Sequence, residues 1–251
     1  MWAINDLSKY SANAMLRDGT PVQIRAIRAS DKQPLARHFD GLSSDSRYNR
    51  FFGFKNSLTS NELRYFTEPD FRRHVALVVT IVNRDDSETI VSDGRYVALE
   101  ECRSVAELAL SVVDAYQRRG IGKLLLECLI GMARYEHVSR LEADVLASNR
   151  GAMRFLIGRG FKSIGTAGGV SRVALSVESD DGGSSLNVGP AFARRDQTAP
   201  HRSYPAGAGW APKRAAGLAG HREQMSCNQK DSGSQRVDCG SAEPSAQLQR
   251  R

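Results

Sequence analysis

VVDAYQRRGIGK, residues 112–123, lies between an alternating apolar run and an amphipathic stretch. The run at 105–113 reads as a strand. Residues 122–136 carry Leu124, Leu125, Cys128, Leu129, Met132 and Ala133 at i, i+3 and i+4 spacing, which reads as a helix with one apolar face. A strand that turns directly into a helix leaves the first helical N–H groups unpaired and pointing outward, with the positive end of the helix dipole behind them. Gly120 and Gly122 remove the Cβ atoms that would keep a phosphate from the main chain. Arg118, Arg119 and Lys123 add positive charge around the same point. The segment therefore suits an anion, above all a diphosphate. Taken alone it fits equally well a plain turn with glycine at a helix start.

Two familiar phosphate loops are excluded. The loop of P-loop nucleotidases needs a glycine five residues before the Gly-Lys pair and Ser or Thr after it, where this chain has Gln117 and Leu124. A dinucleotide fingerprint needs a third glycine where Leu125 stands. Outward from the turn, strand-like and helix-like segments mix in the manner of an α/β (α+β) domain. Strands are expected at 22–27, 74–82, 89–99, 105–113, 141–146, 161–164 and 170–177, seven in all. Helices are expected from the Ser30-Asp31 cap through Phe39, at 45–52, within 57–66, at 122–136 and at 149–159, the last stopped by Gly160.

The 251 residues carry a net charge of +7, and the excess is spread along the chain instead of gathered in a stripe, which argues against nucleic acid as a partner. No apolar stretch nears the ~20 residues of a membrane span, and MWAINDLSKY lacks the basic start and apolar core of a secretory signal, so a cytoplasmic protein away from membranes is expected. Cys102, Cys128, Cys227 and Cys239 have neither CxxC nor His spacing; no metal is expected, and Cys128 reads as a small core residue. Composition changes near Glu178. Residues 179–251 contain no isoleucine, hold 10 basic and 7 acidic residues, and show no periodicity, so a folded domain at 1–178 and a disordered low-complexity tail at 179–251 are expected.

Gln117-Arg118-Arg119-Gly120-Ile121-Gly122 resembles the Q/R-x-x-G-x-G/A signature of the GNAT superfamily of N-acetyltransferases. The AELA strand before it, Asn149-x-x-Ala152 and Gly160-Phe161 follow in the order and spacing of that family. RDGTPVQIRAIR (17–28), SRYNRFF (46–52) and ELRYFTEPD (62–70) resemble the acetyltransferase domain of bacterial protein-lysine acetyltransferases. The resemblance covers roughly residues 16–178. It implies the GNAT fold, a central mixed, mostly antiparallel sheet of about seven strands flanked by helices.

It also implies acetyl-CoA as acyl donor. Main-chain groups of Val112 and Val113 would bind the pantetheine arm, and the N–H groups from Arg118 through Arg119, Gly120, Ile121 and Gly122 to Lys123 would bind the diphosphate. Asn149 would contact the cofactor, although Asn149 also suits a helix cap. Glu107 falls where the lysine-acetyltransferase subgroup has its catalytic Glu. Alternation places it with Ala109 and Ser111, on the face opposite Ala106, Leu108, Leu110 and Val112. By pattern alone it is a solvated strand carboxylate; with the resemblance it becomes the base that takes a proton from the acceptor amine. Glu142 and Asp144 are weaker candidates. Many GNAT enzymes have a tyrosine where this chain has Phe155 and Leu156, so a general acid for the leaving thiolate is unassigned. The implied acceptor is a protein lysine. A small-molecule amine, and a catalytically weak acyl-CoA-binding sensor, are the alternatives.

Overall fold

A computed structural model describes residues 6–177. The expected tail at 179–251, with Cys227 and Cys239, lies outside the described residues, and so does the domain boundary placed at residue 178. The strands are β1 (Ser11–Met15), β2 (Pro21–Ala26), β3 (His74–Val82), β4 (Glu88–Ala98), β5 (Val105–Val112), β6 (Arg140–Leu146), β7 (Lys162–Ala167) and β8 (Val170–Ser176). The helices are α1 (Lys32–Asp40), α2 (Ser44–Phe51), α3 (Ser60–Thr67), α4 (Ile121–Tyr135) and α5 (Arg150–Ile157). The strands join in one sheet of order β1-β2-β3-β4-β5-β6-β8-β7. Only β5 and β6 run parallel, and every other neighbouring pair is antiparallel. The expected mixed, mostly antiparallel sheet is present, with eight strands instead of seven.

The additional strand is β1. Its five residues, Ser-Ala-Asn-Ala-Met, alternate between exposed and half-buried positions, and it pairs with β2 at the sheet edge. Small and polar residues suit an edge strand, which needs only one partner and little apolar surface, so periodicity gives it no signal.

α4 covers one face of the sheet. Leu125, Leu126, Leu129, Met132 and Ala133 are fully buried there against β3, β4 and β5. Burial of each large side chain stabilises the fold by roughly 1.5–3 kcal/mol. Cys128 is buried among them with its Sγ 3.3 Å from Tyr10 Oη. The opposite face carries a smaller core of Ile27, Leu35, Phe66, Ala76, Val78 and Ile90 under α1 and α3. α3 opens with a reciprocal cap between Thr59 and Glu62, and α2 opens on the Ser43 hydroxyl.

Gly94 on β4 is what lets α4 sit this close. A Cβ there would lie 2.7 Å from Leu125 Cδ2 and 3.0 Å from Leu129 Cδ1. Gly94→Ala should therefore destabilise the protein by about 1–3 kcal/mol, read as a lower urea midpoint at unchanged m-value.

Candidate active site

β5 and β6 begin as partners and then part. Their pairing covers Val105 with Arg140, Ala106 with Leu141 and Glu107 with Glu142, and ends there, although β5 runs on to Val112 and β6 to Leu146. Beyond the fork β5 stays paired with β4 as far as Val112, and β6 stays paired with β8 as far as Leu146. The sheet thus opens between two well-held strands. Val113 N–H donates to Val91 O at 3.0 Å, on the β4 side. Because main-chain groups alternate sides along a strand, those of Val112, Leu110 and Leu108 face the gap. Of the two valines singled out from sequence, only Val112 turns its main chain toward the opening. Its carbonyl accepts from Gln117 Nε2 at 3.1 Å.

The turn that follows is built from unusual backbone. Arg118 has φ +62° and Gly120 φ +99°, and Gly120 is the N-cap of α4 without a side-chain partner. A Cβ on Gly120 would meet open space within 4 Å. Leu124 N–H makes the first helical bond, to Gly120 O, so the N–H groups of Ile121, Gly122 and Lys123 point out of the helix end. Ile121 is buried and offers only main chain to that surface. Gly122 lies against Phe155 of α5 and Val112 of β5, where a Cβ would be 3.6 and 3.9 Å from them. Arg119 lies over the Tyr116 ring and 3.4 Å from Asp18, while Lys123 pairs with Glu127 at 3.7 Å. Asn149 Oδ1 accepts from Ala152 N–H at 3.0 Å, so the side chain caps α5 and presents its NH2 group from the same position.

The turn is also tied to α2. Asp114 accepts from Ser43 N–H, Ser43 Oγ and Ser46 Oγ at 2.9–3.0 Å, and Gln117 Nε2 donates to Ser46 Oγ at 3.4 Å. α2 and the turn are therefore held in one frame.

Glu107 stands at the fork, half-buried. Burial, reinforced by the nearby Asp144 charge, raises its carboxyl to about 7, against the opposing pull of Arg50 and Arg172. Among the described residues its acidic neighbours have close basic partners. Asp144 accepts two bonds from Arg172 at 2.7 and 2.8 Å, and Glu142 pairs with Arg140 at 2.8 Å. A half-buried carboxylate that is poised near neutrality at the point where a sheet opens suits proton abstraction.

Residues 47–161 match the acetyltransferase (GNAT) family. An acetyltransferase of Pseudomonas aeruginosa is 30% identical over 141 residues, which span 56% of this chain and 74% of that protein. The chain belongs to the GNAT acetyltransferases. Acetyltransferase Pat of Mycolicibacterium smegmatis is 32% identical over 144 residues, 57% of this chain but only 42% of that longer protein. The crystal structure of the GNAT domain of S. lividans PAT aligns with a TM-score of 0.62 at 28% identity, over 66% of this chain and 96% of that one. The GNAT family uses acetyl-CoA as its acyl donor, and the outward N–H groups, the open space over Gly120 and the gap beside β5 have the right chemistry for its diphosphate and pantetheine. Among the described residues no helix is long and apolar enough to cross a membrane, and no group of three His, Cys, Asp or Glu is placed to hold a metal.

Sequence reading of this GNAT domain did not anticipate the charged cluster behind Glu107. Asp93 and Arg95 on β4 share its sheet face and are buried, as are Arg50 of α2, His38 of α1 and His74 of β3. His38 Nε2 lies 3.0 Å from Ser111 Oγ. His74 stacks on Tyr65 with ring centroids 4.8 Å apart, and its Nε2 accepts from Arg95 at 3.3 Å. Burial lowers both imidazoles, His74 to about 3, so both are neutral donors and acceptors within the cluster. A signal did exist in the sequence: Asp93 and Arg95 sit at i and i+2 in an otherwise apolar strand, and hence on one face.

Proposed function

We propose that this chain transfers acetyl from acetyl-CoA to an amine, a protein lysine side chain, by direct attack within a ternary complex in the cytoplasm. The observation that carries the reading is Glu107 at the β5–β6 fork with its carboxyl near neutrality. In this mechanism the N–H groups of Ile121, Gly122 and Lys123, with Arg118, Arg119 and Gly120 in the turn, hold the diphosphate. The gap-facing main chain of Val112 and Leu110 holds the pantetheine arm, and Asn149 supports it through its NH2 group. Glu107 takes a proton from the lysine ammonium, and the freed amine attacks the thioester carbonyl. A gap-facing β5 N–H stabilises the oxyanion, which collapses to break the C–S bond and expel the thiolate. Phe155 has no proton to give. The adduct nitrogen gives up its second proton to water as the C–S bond breaks. The thiolate, whose conjugate acid has a pKa of about 8–9, leaves unaided and regains a proton from water, so that acetyl-lysine and free thiol result.

The lysine acceptor is supported by the resemblance of residues 17–28, 46–52 and 62–70 to protein-lysine acetyltransferases. The test offers the full chain acetyl-CoA with a lysine-bearing protein or with a panel of small amines, and follows thiol release and intact mass. Acetyl added to lysine is the expected result. Turnover with small amines alone would move the acceptor to that class, and tight acetyl-CoA binding without transfer to either would overturn the proposal.

A further inference from the structure

α2 is too short to hold its own place. It has eight residues, and a helix of that length is marginal in water unless packing or outside bonds support it. Its last turn is seated by Phe51, whose ring lies 5.5 Å from that of Phe39 and 6.4 Å from that of Phe66. Its first turn has its own cap, a bond from Ser46 N–H to Ser43 Oγ at 3.2 Å. Among the described residues, the side-chain hydrogen bonds that reach this first turn from outside the helix come from Asp114 and Gln117.

Donors and acceptors match at this contact. Ser43 and Ser46 give their hydroxyl protons to Asp114 Oδ1, and Ser43 N–H donates to Oδ2. Gln117 has two amide protons and two acceptors, Val112 O at 3.1 Å and Ser46 Oγ at 3.4 Å. Partial burial works against the charge on Asp114, yet the bonds from Ser43 and Ser46 hold its carboxyl below the ordinary value. An ionised carboxylate therefore sits at the positive end of α2. From Asp114 the chain leads into the turn proposed for the diphosphate. Tyr116 N–H donates to Val113 O at 2.8 Å, Gln117 N–H donates to Asp114 O at 3.2 Å, and Arg119 lies 5.1 Å from the centre of the Tyr116 ring. α2 also packs on β5, where Arg50 and Phe51 line a small cavity with Ser111. Ser111 and Glu107 share one face of that strand. One short helix thus touches the turn with its first residues and the Glu107 face of β5 with its later ones.

We propose that Asp114 is a positioning residue for acetyl transfer: through Ser43 and Ser46 it makes the order of α2 depend on the turn that holds the donor's diphosphate. The inference rests on that turn as the acetyl-CoA site and on Glu107 as the base. A ligand on the N–H groups of residues 121–123 fixes the turn. The turn then fixes α2 over the face where an amine must lie to reach Glu107. The bonds to Asp114 are solvent-exposed, and exposed polar contacts contribute little to global stability. They can open and close locally, which suits a contact that responds to a ligand. By linkage, an acceptor held against α2 tightens acetyl-CoA by the same factor that acetyl-CoA tightens the acceptor.

The test is amide hydrogen exchange of the full chain with and without acetyl-CoA, in the parent, Asp114→Ala and Ser46→Ala. In the parent, acetyl-CoA should slow exchange across residues 44–52 by about fivefold or more. Asp114→Ala keeps the Ser43 cap and the backbone of the turn, so calorimetry should find acetyl-CoA affinity within about threefold of the parent while the α2 response disappears. Ser46→Ala removes part of the contact and should lose part of the response, with no further loss when it is added to Asp114→Ala. In transfer to a lysine-bearing protein, KM for that protein should rise about fivefold in Asp114→Ala while KM for acetyl-CoA holds. A merely structural role would loosen α2 equally with and without acetyl-CoA, and that result overturns the proposal. So does an α2 indifferent to acetyl-CoA in the parent, or a response that survives in Asp114→Ala. Should Asp114→Ala fail to fold, a full response in Ser46→Ala overturns it instead. The readings fail separately: a parent that binds no acetyl-CoA removes the assignment of the turn, whereas binding without an α2 response removes only the role of Asp114.

Discussion

In Glu107→Gln, kcat should fall by about 10²–10⁴-fold while acetyl-CoA affinity stays within about twofold of the parent. Glutamine keeps the shape of the side chain and removes its ability to take a proton. The turn proposed for the diphosphate, residues 118–123, lies in a different part of the site, so binding should be spared. The pH profile should change with the rate. With Glu107 as the base, kcat/KM of the parent should rise as pH passes about 7, and the variant should lack that limb. Stability should move the other way. The fold raises the carboxyl above its unfolded value of 4.5, so the protonated form is favoured in the native state. That contribution is complete below the unfolded value and is lost as pH rises through about 7. The variant escapes the loss and should be more stable than the parent at alkaline pH by on the order of 1–3 kcal/mol, and closer to it in acid. Thiol-release kinetics and urea melts at several pH values measure both. Turnover untouched by the substitution would remove Glu107 as the base.

Gly120→Asp should weaken acetyl-CoA binding by about 10²-fold or more, measured by calorimetry. The position asks for φ +99°, where a side chain is strained by roughly 1–2 kcal/mol. Strain present with and without ligand lowers stability and not affinity, so the binding loss comes chiefly from the new carboxylate. Its Cβ would project into open space. With the N–H groups of the α4 terminus beside it, that carboxylate would occupy the anion site itself and repel a diphosphate. Gly120→Ala separates the two effects, since it carries the strain without the charge and should lose stability more than affinity. Unchanged affinity in Gly120→Asp would overturn the assignment of this turn to the diphosphate.

Much of the fold was legible because its signals are local. The apolar spacing of α4, the caps at Ser43 and Thr59 and the alternation in β5 all act within a few residues. The helices and seven strands therefore fall close to the expected spans. β1 escaped because an edge strand of small residues has little apolar surface to repeat. The end of α2 shows the same limit on a smaller scale. The sequence predicts a helix through Phe52, which is instead the left-handed C-cap at φ +54°, a conformation that an aromatic residue does not announce. The positive φ of Arg118 was hidden in the same way.

The amphipathic helix after the turn and the match of residues 117–122 to the GNAT signature were determined by the sequence, since each rests on residue types at short, fixed spacing, and it is the resemblance they carry that implied the diphosphate turn and Glu107 as the base. Tertiary structure decided the rest. It set where β5 parts from β6, which of Val112 and Val113 faces the opening, and that Asp144 and Glu142 are engaged by arginines while Glu107 sits near neutrality. It also brought Arg50 of α2 to Asp93 of β4, 43 positions away, behind the β5 carboxylate. The physical reason is that strand register, burial and the field of distant charges belong to the packed chain, and none of them is written in any short stretch of it.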